Sequence, residues 1–380
     1  MKTKNLLVYL FAVLLSAPLV ASAQDSTKTF TLSGSVDTYV HTSLGIRNGA
    51  SYAPSTSFSN LRGFGLGMVN LIGSYQGEKV GFTADLVFGP RGYDAVFANT
   101  YSNQRIVNQM FAYVKLGKAV TLNLGQFNTF LGYEVISPTL NFNYSTSYMF
   151  SWGPFNHTGL RADFDLGGGL IAKLAVMNPT DFVEFNPVKA VTLGAQVGYT
   201  NDNGGIWFNF LYGDQDGKLK DVSAPNDTLS TGTLFQGDIT TGWSISDAFY
   251  LGVNATYRTL AKGEQSTAAS QGDPITDTDS GQGFMGVAIY PKLTLSDNFA
   301  LGLRAEYFAV KKGYIAPFGL DAKGDGSVID LTLSGNIKVG GLTIIPEVRI
   351  DKTSEDSYMD DDGKAKDMIP SLTLAAVYKF

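Results

Sequence analysis

The chain has 380 residues, of which 16% are charged, and it carries 43 Gly, 25 Phe and 19 Tyr with a formal net charge of −6. Soluble domains usually have about 25% charged residues, so this composition argues against several soluble domains and favours a single β-barrel with aromatic girdles at the membrane interfaces. The acidic balance argues against a nucleic-acid partner, and the absence of Cys excludes disulfides, thiolate metal sites and a Cys nucleophile.

The amino-terminal segment has the pattern of a secretory signal peptide. Two lysines precede an apolar run over residues 6–20, and the Ala-Ser-Ala sequence at residues 21–23 supplies the small side chains of a cleavage site. The run contains Pro18 and is shorter than the roughly 20 residues that a membrane-spanning helix needs. We therefore predict a signal peptide over residues 1–23 and one exported mature domain over residues 24–380, which the strand pattern below assigns to an outer membrane.

Alternation of apolar and polar residues begins in the first predicted strand, residues 30–40, and returns in the last one, residues 369–380. In the last strand, apolar positions such as Leu374 alternate with polar positions such as Thr373, so one face can meet lipid and the other water. A strand left unpaired in a bilayer would expose backbone polar groups at several kcal/mol each. We therefore expect the first strand to pair with the last and close a barrel.

Between these two strands, turn signals divide the chain into about sixteen candidate strands whose connections alternate between short and long. The short connections, rich in Gly, Asn and Asp as tight turns require, lie at residues 76–79, 116–119, 166–169, 201–205, 246–248, 295–298 and 339–341. The long polar connections lie near residues 42–63, 89–106, 129–156, 178–188, 213–232, 261–282, 311–326 and 351–368. This alternation predicts an all-β fold, a transmembrane antiparallel up-and-down β-barrel of about 16 strands with both chain ends on the periplasmic side.

Two of the predicted strands, residues 64–75 and 281–293, have Gly-rich, mixed patterns that fit a bulge or a change of register.

The alternation also assigns a set of charged side chains to the barrel interior. Arg304, for example, lies between Leu303 and Ala305, which take the lipid face. An Arg or Lys that faces lipid at mid-depth costs about 2 to 4 kcal/mol, whereas a charge in the lumen keeps its water. The predicted pore-lining residues are Asp85, Arg161, Asp163, Lys173, Asp238, Arg258, Arg304, Glu306, Asp330, Glu347 and Arg349. Their near balance of basic and acidic groups predicts no strong ion preference.

The third long loop, near residues 129–156, differs from the others because it is rich in aromatic residues. Aromatic side chains are unfavourable in a loop surrounded by solvent, so we expect this loop to fold inward or to pack across the barrel mouth. The predicted constriction residues are Tyr133, Glu134, Asn141, Tyr144, Trp152 and His157. An aromatic plug or rim that only stabilises the barrel would explain the same residues, and the two interpretations stay open. For His157 and His41 a hydrogen-bonded rim position is favoured over ligand binding.

This loop and the strands beside it also carry a family resemblance. The residues concerned are Leu124-Gly125-Gln126-Phe127, Gly132-Tyr133-Glu134, Gly153-Pro154-Phe155 and His157-Thr158-Gly159-Leu160. With them the chain resembles the OmpL-like β-barrel porins of Gram-negative outer membranes, and the likeness in length and strand pattern covers nearly the whole mature chain. The resemblance implies a pore-forming outer-membrane protein and names no solute and no catalytic residue.

We therefore predict an outer-membrane porin of a Gram-negative bacterium, a water-filled channel for passive diffusion of small polar solutes. About sixteen strands enclose an interior too wide for side chains to fill, so the channel is aqueous unless loops plug it. Outer-membrane lipid and small polar solutes are its expected partners, and a homo-oligomer stays open. The chief alternative is a structural or assembly barrel of an envelope complex with a blocked lumen. A gated transporter for hydrophobic substrates would need an apolar pocket and a lateral opening.

Catalysis and cofactors are not expected. The chain has two His residues, and neither lies in a recognisable Ser/His or Asp/His setting, so the sequence predicts no enzyme. Acidic segments at residues 214–217, 273–279 and 360–363 lack the full ligand spacing of a calcium loop and are interpreted as solvated loops. No metal or cofactor is predicted.

Overall fold

The computed structural model describes residues 29–49, 52–96, 106–186, 190–215, 233–261 and 281–380. The predicted signal peptide, the acidic segment at residues 273–279 and the end of the segment at residues 214–217 lie outside the described residues. The cleavage site therefore stays a prediction. None of the helices in the described ranges is long and apolar enough to cross a membrane.

Sixteen antiparallel strands close into one barrel, as the turn pattern predicts. They are β1 (Thr29–Ser43), β2 (Gly63–Gln76), β3 (Val80–Phe88), β4 (Val107–Lys115), β5 (Val120–Asn128), β6 (Asn156–Gly167), β7 (Leu170–Met177), β8 (Thr192–Asn201), β9 (Gly204–Gly213), β10 (Leu234–Ser244), β11 (Phe249–Leu260), β12 (Gly283–Ser296), β13 (Phe299–Lys311), β14 (Gly326–Val339), β15 (Leu342–Thr353) and β18 (Met368–Lys379). Two-residue strands β16 (Tyr358–Met359) and β17 (Ala365–Lys366) form a hairpin in the last long loop, and the short helices α1 (Pro90–Ala95) and α2 (Tyr148–Trp152) lie in two others.

The first and last strands close the barrel, which confirms the expectation from the sequence. β1 pairs with β18 so that Val40 lies opposite Leu374. Gly34 N–H donates to Phe380 O over 3.1 Å, and Phe380 N–H donates to Gly34 O over 3.0 Å. This pairing gives the carboxy-terminal strand a partner on each side, since β18 also pairs with β15.

The connections alternate in length as the sequence predicts. Each predicted short connection joins two neighbouring strands at one rim, and each predicted long one joins them at the other rim. In the turn from β14 to β15, Gly340 has φ 61°. That backbone conformation is strained for residues with a Cβ, so the glycine is suited to this turn.

Side chains follow the predicted alternation. Apolar Phe82 and Leu374 point outward and are 42% and 49% exposed, whereas Arg304 points inward and is 0% exposed. Departures occur in several strands, among them β18, where apolar Ile369 and Val377 also point inward and are buried. Val377 packs in an apolar cluster with Tyr144, which lies in the loop between β5 and β6. Interior packing therefore places apolar residues on a face that alternation alone reserves for polar ones.

The irregularity expected in residues 64–75 is a bulge in β2. Val36 of β1 pairs with Val69, but Thr38 pairs with Leu66, so that two residues of β2 oppose Asp37 alone. A Cβ at Gly67 would overlap the carboxylate of Asp37, and so only glycine fits there. In β12 the register shifts against β13 beyond Thr294, at the carboxy-terminal end of that strand.

Candidate functional site in the barrel interior

The loop between β5 and β6, residues 129–155, contacts inward-facing side chains on distant parts of the barrel wall. Gly132 N–H donates to Asp238 Oδ1 of β10 over 3.0 Å, and the Tyr144 hydroxyl donates to Asp37 Oδ2 of β1 over 2.5 Å. Tyr148 N–H donates to Glu306 Oε2 of β13 over 2.8 Å. The β5–β6 loop is thus bonded to strands that are far apart around the barrel.

Two carboxylates of the wall bind the backbone of the loop. Glu347 of β15 accepts N–H groups of Tyr144 at 2.8 Å and Ser145 at 3.2 Å. Glu306 accepts N–H groups of Tyr148 at 2.8 Å and Met149 at 2.7 Å. Each carboxyl group thus accepts two consecutive backbone N–H groups, and these four contacts hold the middle of the loop in place.

A cluster of buried charges lies beneath these contacts, on β13, β14 and β15. Arg304 Nε lies 2.7 Å from Asp330 Oδ2, and Arg304 Nη1 lies 2.9 Å from Glu134 Oε1 of the loop. Arg349 Nη2 lies 2.7 Å from Asp351 Oδ1. We call Glu134, Arg304, Asp330, Arg349 and Asp351 the buried charge cluster. Because desolvated charges are costly, each must be paired, and here each is.

The two arginines also bind the carbonyl groups of the loop. Arg304 Nη1 donates to Ser145 O over 2.7 Å, and Arg349 Nη1 donates to Thr146 O over 2.8 Å. Carboxylates and guanidinium groups of one wall therefore satisfy consecutive N–H and C=O groups of the loop. Buried backbone groups need such partners, which explains why the charges are fixed at this level of the barrel.

Two other predicted pore residues, Asp85 and Asp238, are surrounded by amides. Asn108 Nδ2 donates to Asp85 Oδ2 over 2.7 Å, and Gln109 Nε2 donates to the same oxygen over 3.1 Å. Asp238 accepts from Nδ2 of both Asn209 and Asn254, at 2.8 and 2.7 Å. Neither carboxylate lies within 4.0 Å of a basic group among the described residues, so side-chain amides hold both in place.

A third group of charges keeps contact with water. Arg161 Nε lies 2.8 Å from Asp163 Oδ1, and Lys173 Nζ lies 3.9 Å from the same oxygen. These side chains of β6 and β7 are 14%, 27% and 23% exposed. We call Arg161, Asp163 and Lys173 the exposed charge cluster. Water reaches these charges in part, and so their ion pairs should contribute less to stability than those of the buried charge cluster.

The predicted pore-lining residues all lie on the inner face, but most of them are covered. Those with less than a tenth of their surface exposed are Asp85, Asp238, Arg258, Arg304, Glu306, Asp330, Glu347 and Arg349. The expectation that they keep their water does not agree with the structure, because loop residues pack on several of them and polar neighbours enclose the others. Their role in lining a pore stays a prediction.

The predicted constriction residues make internal contacts. Tyr133 stacks on Tyr290 with ring centroids 4.1 Å apart, and Asn141 Oδ1 accepts the N–H of Val135 at 2.9 Å. Trp152 Nε1 donates to Ser55 O over 2.9 Å. Burial raises the pKa of Tyr133 and of Tyr144 far above the usual range, so both keep their protons.

His157 is buried at the start of β6, where its Nε2 lies 3.0 Å from the Thr129 hydroxyl. His41 Nδ1 lies 2.9 Å from the Thr373 hydroxyl. Among the residues that the structure describes, no group of three or more His, Asp or Glu could hold a metal ion.

A cavity of about 710 Å³ lies between the β5–β6 loop and the rim of short turns. The loop contributes Phe130, Tyr133 and Phe142 to its lining, and the turn between β12 and β13 contributes Asp297. The strands contribute Trp207, Tyr250, Tyr290, Lys292, Asn336 and Lys338.

No sequence motif marks these strand residues as a group. Alternation alone could have placed Lys292 and Lys338 on the inner face, since they share the parity of inward Tyr290 and Asn336. What alternation cannot show is that these residues surround one cavity, because they lie on different strands.

Comparison with known proteins gives a family and a fold. Residues 29–380 match the family described as "Putative beta-barrel porin-2, OmpL-like". No curated protein sequence gives a significant match.

Several solved structures are similar to the chain over nearly its whole length. The outer membrane channel DcaP of Acinetobacter baumannii is 14% identical with a TM-score of 0.61, covering 95% of this chain and 100% of its own. The anion-selective porin from Comamonas acidovorans is 10% identical with a TM-score of 0.60, covering 93% and 100%. OmpT of Vibrio cholerae, described as a trimer form, is 12% identical with a TM-score of 0.57, covering 93% and 99%. At these identities the similarity shows a common fold. Because the family model covers nearly the whole chain, the protein belongs to the OmpL-like β-barrel porin family and is a channel of the Gram-negative outer membrane.

Proposed function

We propose that the channel passes small polar solutes by diffusion down their gradients and that the β5–β6 loop is its constriction. The observation that supports this proposal is the set of bonds from wall carboxylates to loop N–H groups. Glu306 and Glu347 bind the loop from one side and Asp238 from another. A sixteen-strand barrel is too wide to select small solutes by itself, so a loop fixed across part of its section would set the size limit.

A second candidate function is a structural barrel with a blocked lumen. Its support is an apolar cluster inside the outer half of the barrel, where Tyr148 of the loop packs on Phe308 and Phe318. Such a cluster excludes water from part of the section. The two candidates differ in whether the native protein conducts.

Liposome swelling with neutral sugars of increasing size tests the proposal. Purified protein that shows native gel mobility is reconstituted, and swelling is recorded in isotonic solutions of a pentose, a hexose, a disaccharide and a trisaccharide. We expect rapid entry of the smaller sugars and a clear size limit. Folded protein that admits none of them would support the blocked barrel.

Shortening the β5–β6 loop sharpens this test. Deletion of residues 135–152 should raise single-channel conductance and admit larger sugars, because the bonds to Glu306 and Glu347 are lost with the segment. The matched control removes residues 361–363 from the exposed tip of the β16–β17 hairpin and should change neither. A deletion variant with native conductance would show that the loop does not limit passage.

We also propose that the protein assembles as a homo-oligomer within outer-membrane lipid. The support is that a similar fold, OmpT of Vibrio cholerae, is described as a trimer form. Chemical cross-linking in native membranes should give one discrete oligomer, and an exclusively monomeric product would contradict the proposal.

A further inference from the structure

The cavity below the β5–β6 loop has a different charge balance from the barrel interior as a whole, where acidic and basic groups nearly cancel. Four charged residues line the cavity, Glu134, Lys292, Asp297 and Lys338. Glu134 is neutralised by buried Arg304, 2.9 Å away. Neither lysine lies within 4.0 Å of a carboxylate among the described residues, and Asp297 is exposed on the turn at the cavity's edge. The cavity therefore has an excess of positive charge.

Aromatic rings form much of the remaining surface. Tyr133 stacks on Tyr290, and its hydroxyl donates to the hydroxyl of Tyr250 over 3.1 Å. Lys292 Nζ lies 4.9 Å from the centre of the Tyr250 ring, a cation–π distance that holds the ammonium group at the aromatic surface. Trp207 lines the same cavity from β9. A flat apolar group would thus find ring faces beside an ammonium group.

Two amide side chains of the cavity wall are already engaged with the loop. Gln196 Nε2 donates to Phe130 O over 3.1 Å, and Asn336 Nδ2 donates to Phe142 O over 2.9 Å. These donors are less available to the hydroxyl groups of a sugar. The charged donors of the cavity wall are the two lysine ammonium groups, and they favour an acceptor with negative charge.

We propose that this cavity binds small organic anions that combine an aromatic or apolar body with a carboxylate or sulfonate group. Lys292 and Lys338 attract the anionic group, and the rings of Trp207 and Tyr250 contact the body. The passage of such anions through the barrel rests on the proposed channel function, but their binding to the cavity does not.

Binding is measured by isothermal titration on the full-length mature protein in neutral detergent, with benzenesulfonate as the probe. The neutral analogue benzenesulfonamide and the cation trimethylphenylammonium have a similar ring and differ in charge. We expect benzenesulfonate to bind at least about tenfold more tightly than either analogue at low salt. Its affinity should fall in 1 M KCl, since salt screens charges in a cavity that is open to water.

Substitutions test the two lysines. The Lys292→Gln, Lys338→Gln double variant should lose about tenfold in affinity for benzenesulfonate and should keep its affinity for benzenesulfonamide. Lys118→Gln, at the exposed turn between β4 and β5 and outside the cavity, is the matched control and should bind as the native protein does. The Lys292→Glu, Lys338→Glu variant should prefer trimethylphenylammonium. Heat-dependent gel mobility identifies the folded samples on which these comparisons are made.

The result that overturns the inference is equal affinity for the sulfonate and the sulfonamide, or a native sulfonate affinity in the folded double variant. Conductance separates this failure from failure of the channel proposal. A protein that binds benzenesulfonate through the two lysines but gives no current supports the binding site and contradicts diffusion. A protein that conducts but binds the sulfonate without dependence on the lysines contradicts the site alone.

Discussion

The barrel contains two regions of paired charges that differ in their exposure to water. In the buried charge cluster on β13 to β15, the side chains of Arg304 and Asp330 are 0% exposed and that of Arg349 is 4% exposed. In the exposed charge cluster on β6 and β7, Arg161 and Asp163 form an equally short pair but remain in contact with water. Both regions face inward. They differ because the β5–β6 loop is bonded to the first and not to the side chains of the second.

The difference separates two uses of interior charge. Buried charges are fixed by one another and by loop backbone groups, so they hold the loop in place. The partly hydrated charges of the exposed charge cluster contribute less to stability, and their electric field acts on ions in the water beside them. Substitutions in the buried cluster should therefore change stability, and substitutions in the exposed cluster should change ion selectivity.

The largest expected effect is that of Arg304→Gln. This change leaves Asp330 and Glu134 without their closest cation in a dry site, and breaking a buried pair in this way costs about 3 to 5 kcal/mol. The free energy of unfolding in urea, measured in lipid vesicles, should fall by that amount.

The matched control for this change is Arg161→Gln, which breaks a pair of similar length in the exposed cluster. It should cost about 1 kcal/mol or less because water screens the pair. Equal losses in the two variants would show that the β5–β6 loop does not keep the buried cluster dry.

The next effect concerns the bonds from the wall to the loop. In Glu347→Gln, one oxygen remains and can still accept one N–H group of the loop. The new NH₂ group faces the other, the N–H of Tyr144 or of Ser145, and cannot bond it because both groups are donors. We expect a loss of about 2 kcal/mol in unfolding free energy and faster proteolysis within residues 135–152.

Glu355→Gln, at an exposed position in the last long loop, is the control and should leave both quantities unchanged. Proteolysis at the native rate in Glu347→Gln would mean that the loop is fixed by its other contacts alone.

The architecture of the barrel could be predicted from the sequence. Period-two alternation and turn residues are local signals, so the strand number and the alternation of loop lengths follow from short stretches of chain. The pairing of the first strand with the last follows because a membrane barrel leaves no strand edge unpaired. The inward direction of Arg304 follows in the same way. These features depend on backbone geometry, which the chain repeats strand after strand.

The hydration of the interior could not be predicted in the same way. Whether Arg304 is wet or dry depends on Glu134 and Ser145, which lie 170 and 159 residues away in sequence. The cavity likewise depends on Trp207 and Lys338 meeting across several strands. Alternation gives the direction of a side chain but not the loop that covers it, and so Val377 was not expected to be buried against Tyr144.

The stability of the junction between the β5–β6 loop and β6 should depend on pH through Asp181. Asp181, in the β7–β8 loop, accepts N–H groups of Phe155 and Asn156 at 2.9 Å each, where the β5–β6 loop joins β6. Burial raises the pKa of Asp181 to about 6, above its usual 3.8. Between these values the folded protein binds a proton that the unfolded chain does not bind. Asp181 therefore favours folding more as the pH falls from 7 to 4.

The measurement compares unfolding free energies of the native protein and Asp181→Asn at several pH values. The native protein should gain about 2 kcal/mol relative to the variant between pH 7 and pH 4. Parallel pH profiles for the two proteins would mean that Asp181 has the same pKa in the folded and unfolded states.

The smallest effect on stability and the clearest one on selectivity are expected from Asp163→Asn. The change removes the only carboxylate within 4.0 Å of Arg161 and Lys173 in the described part of the chain, so two cations remain uncompensated beside water. Stability should change by about 1 kcal/mol or less, since both cations stay hydrated. The reversal potential in a KCl gradient should shift toward the value for chloride, because the exposed charge cluster gains one positive charge.

Asp202→Asn, at the exposed turn between β8 and β9, is the control for a general change in net charge and should shift the reversal potential less. An unchanged reversal potential in Asp163→Asn would place the ion path away from the exposed cluster, and the contrast between the two clusters would then concern stability alone.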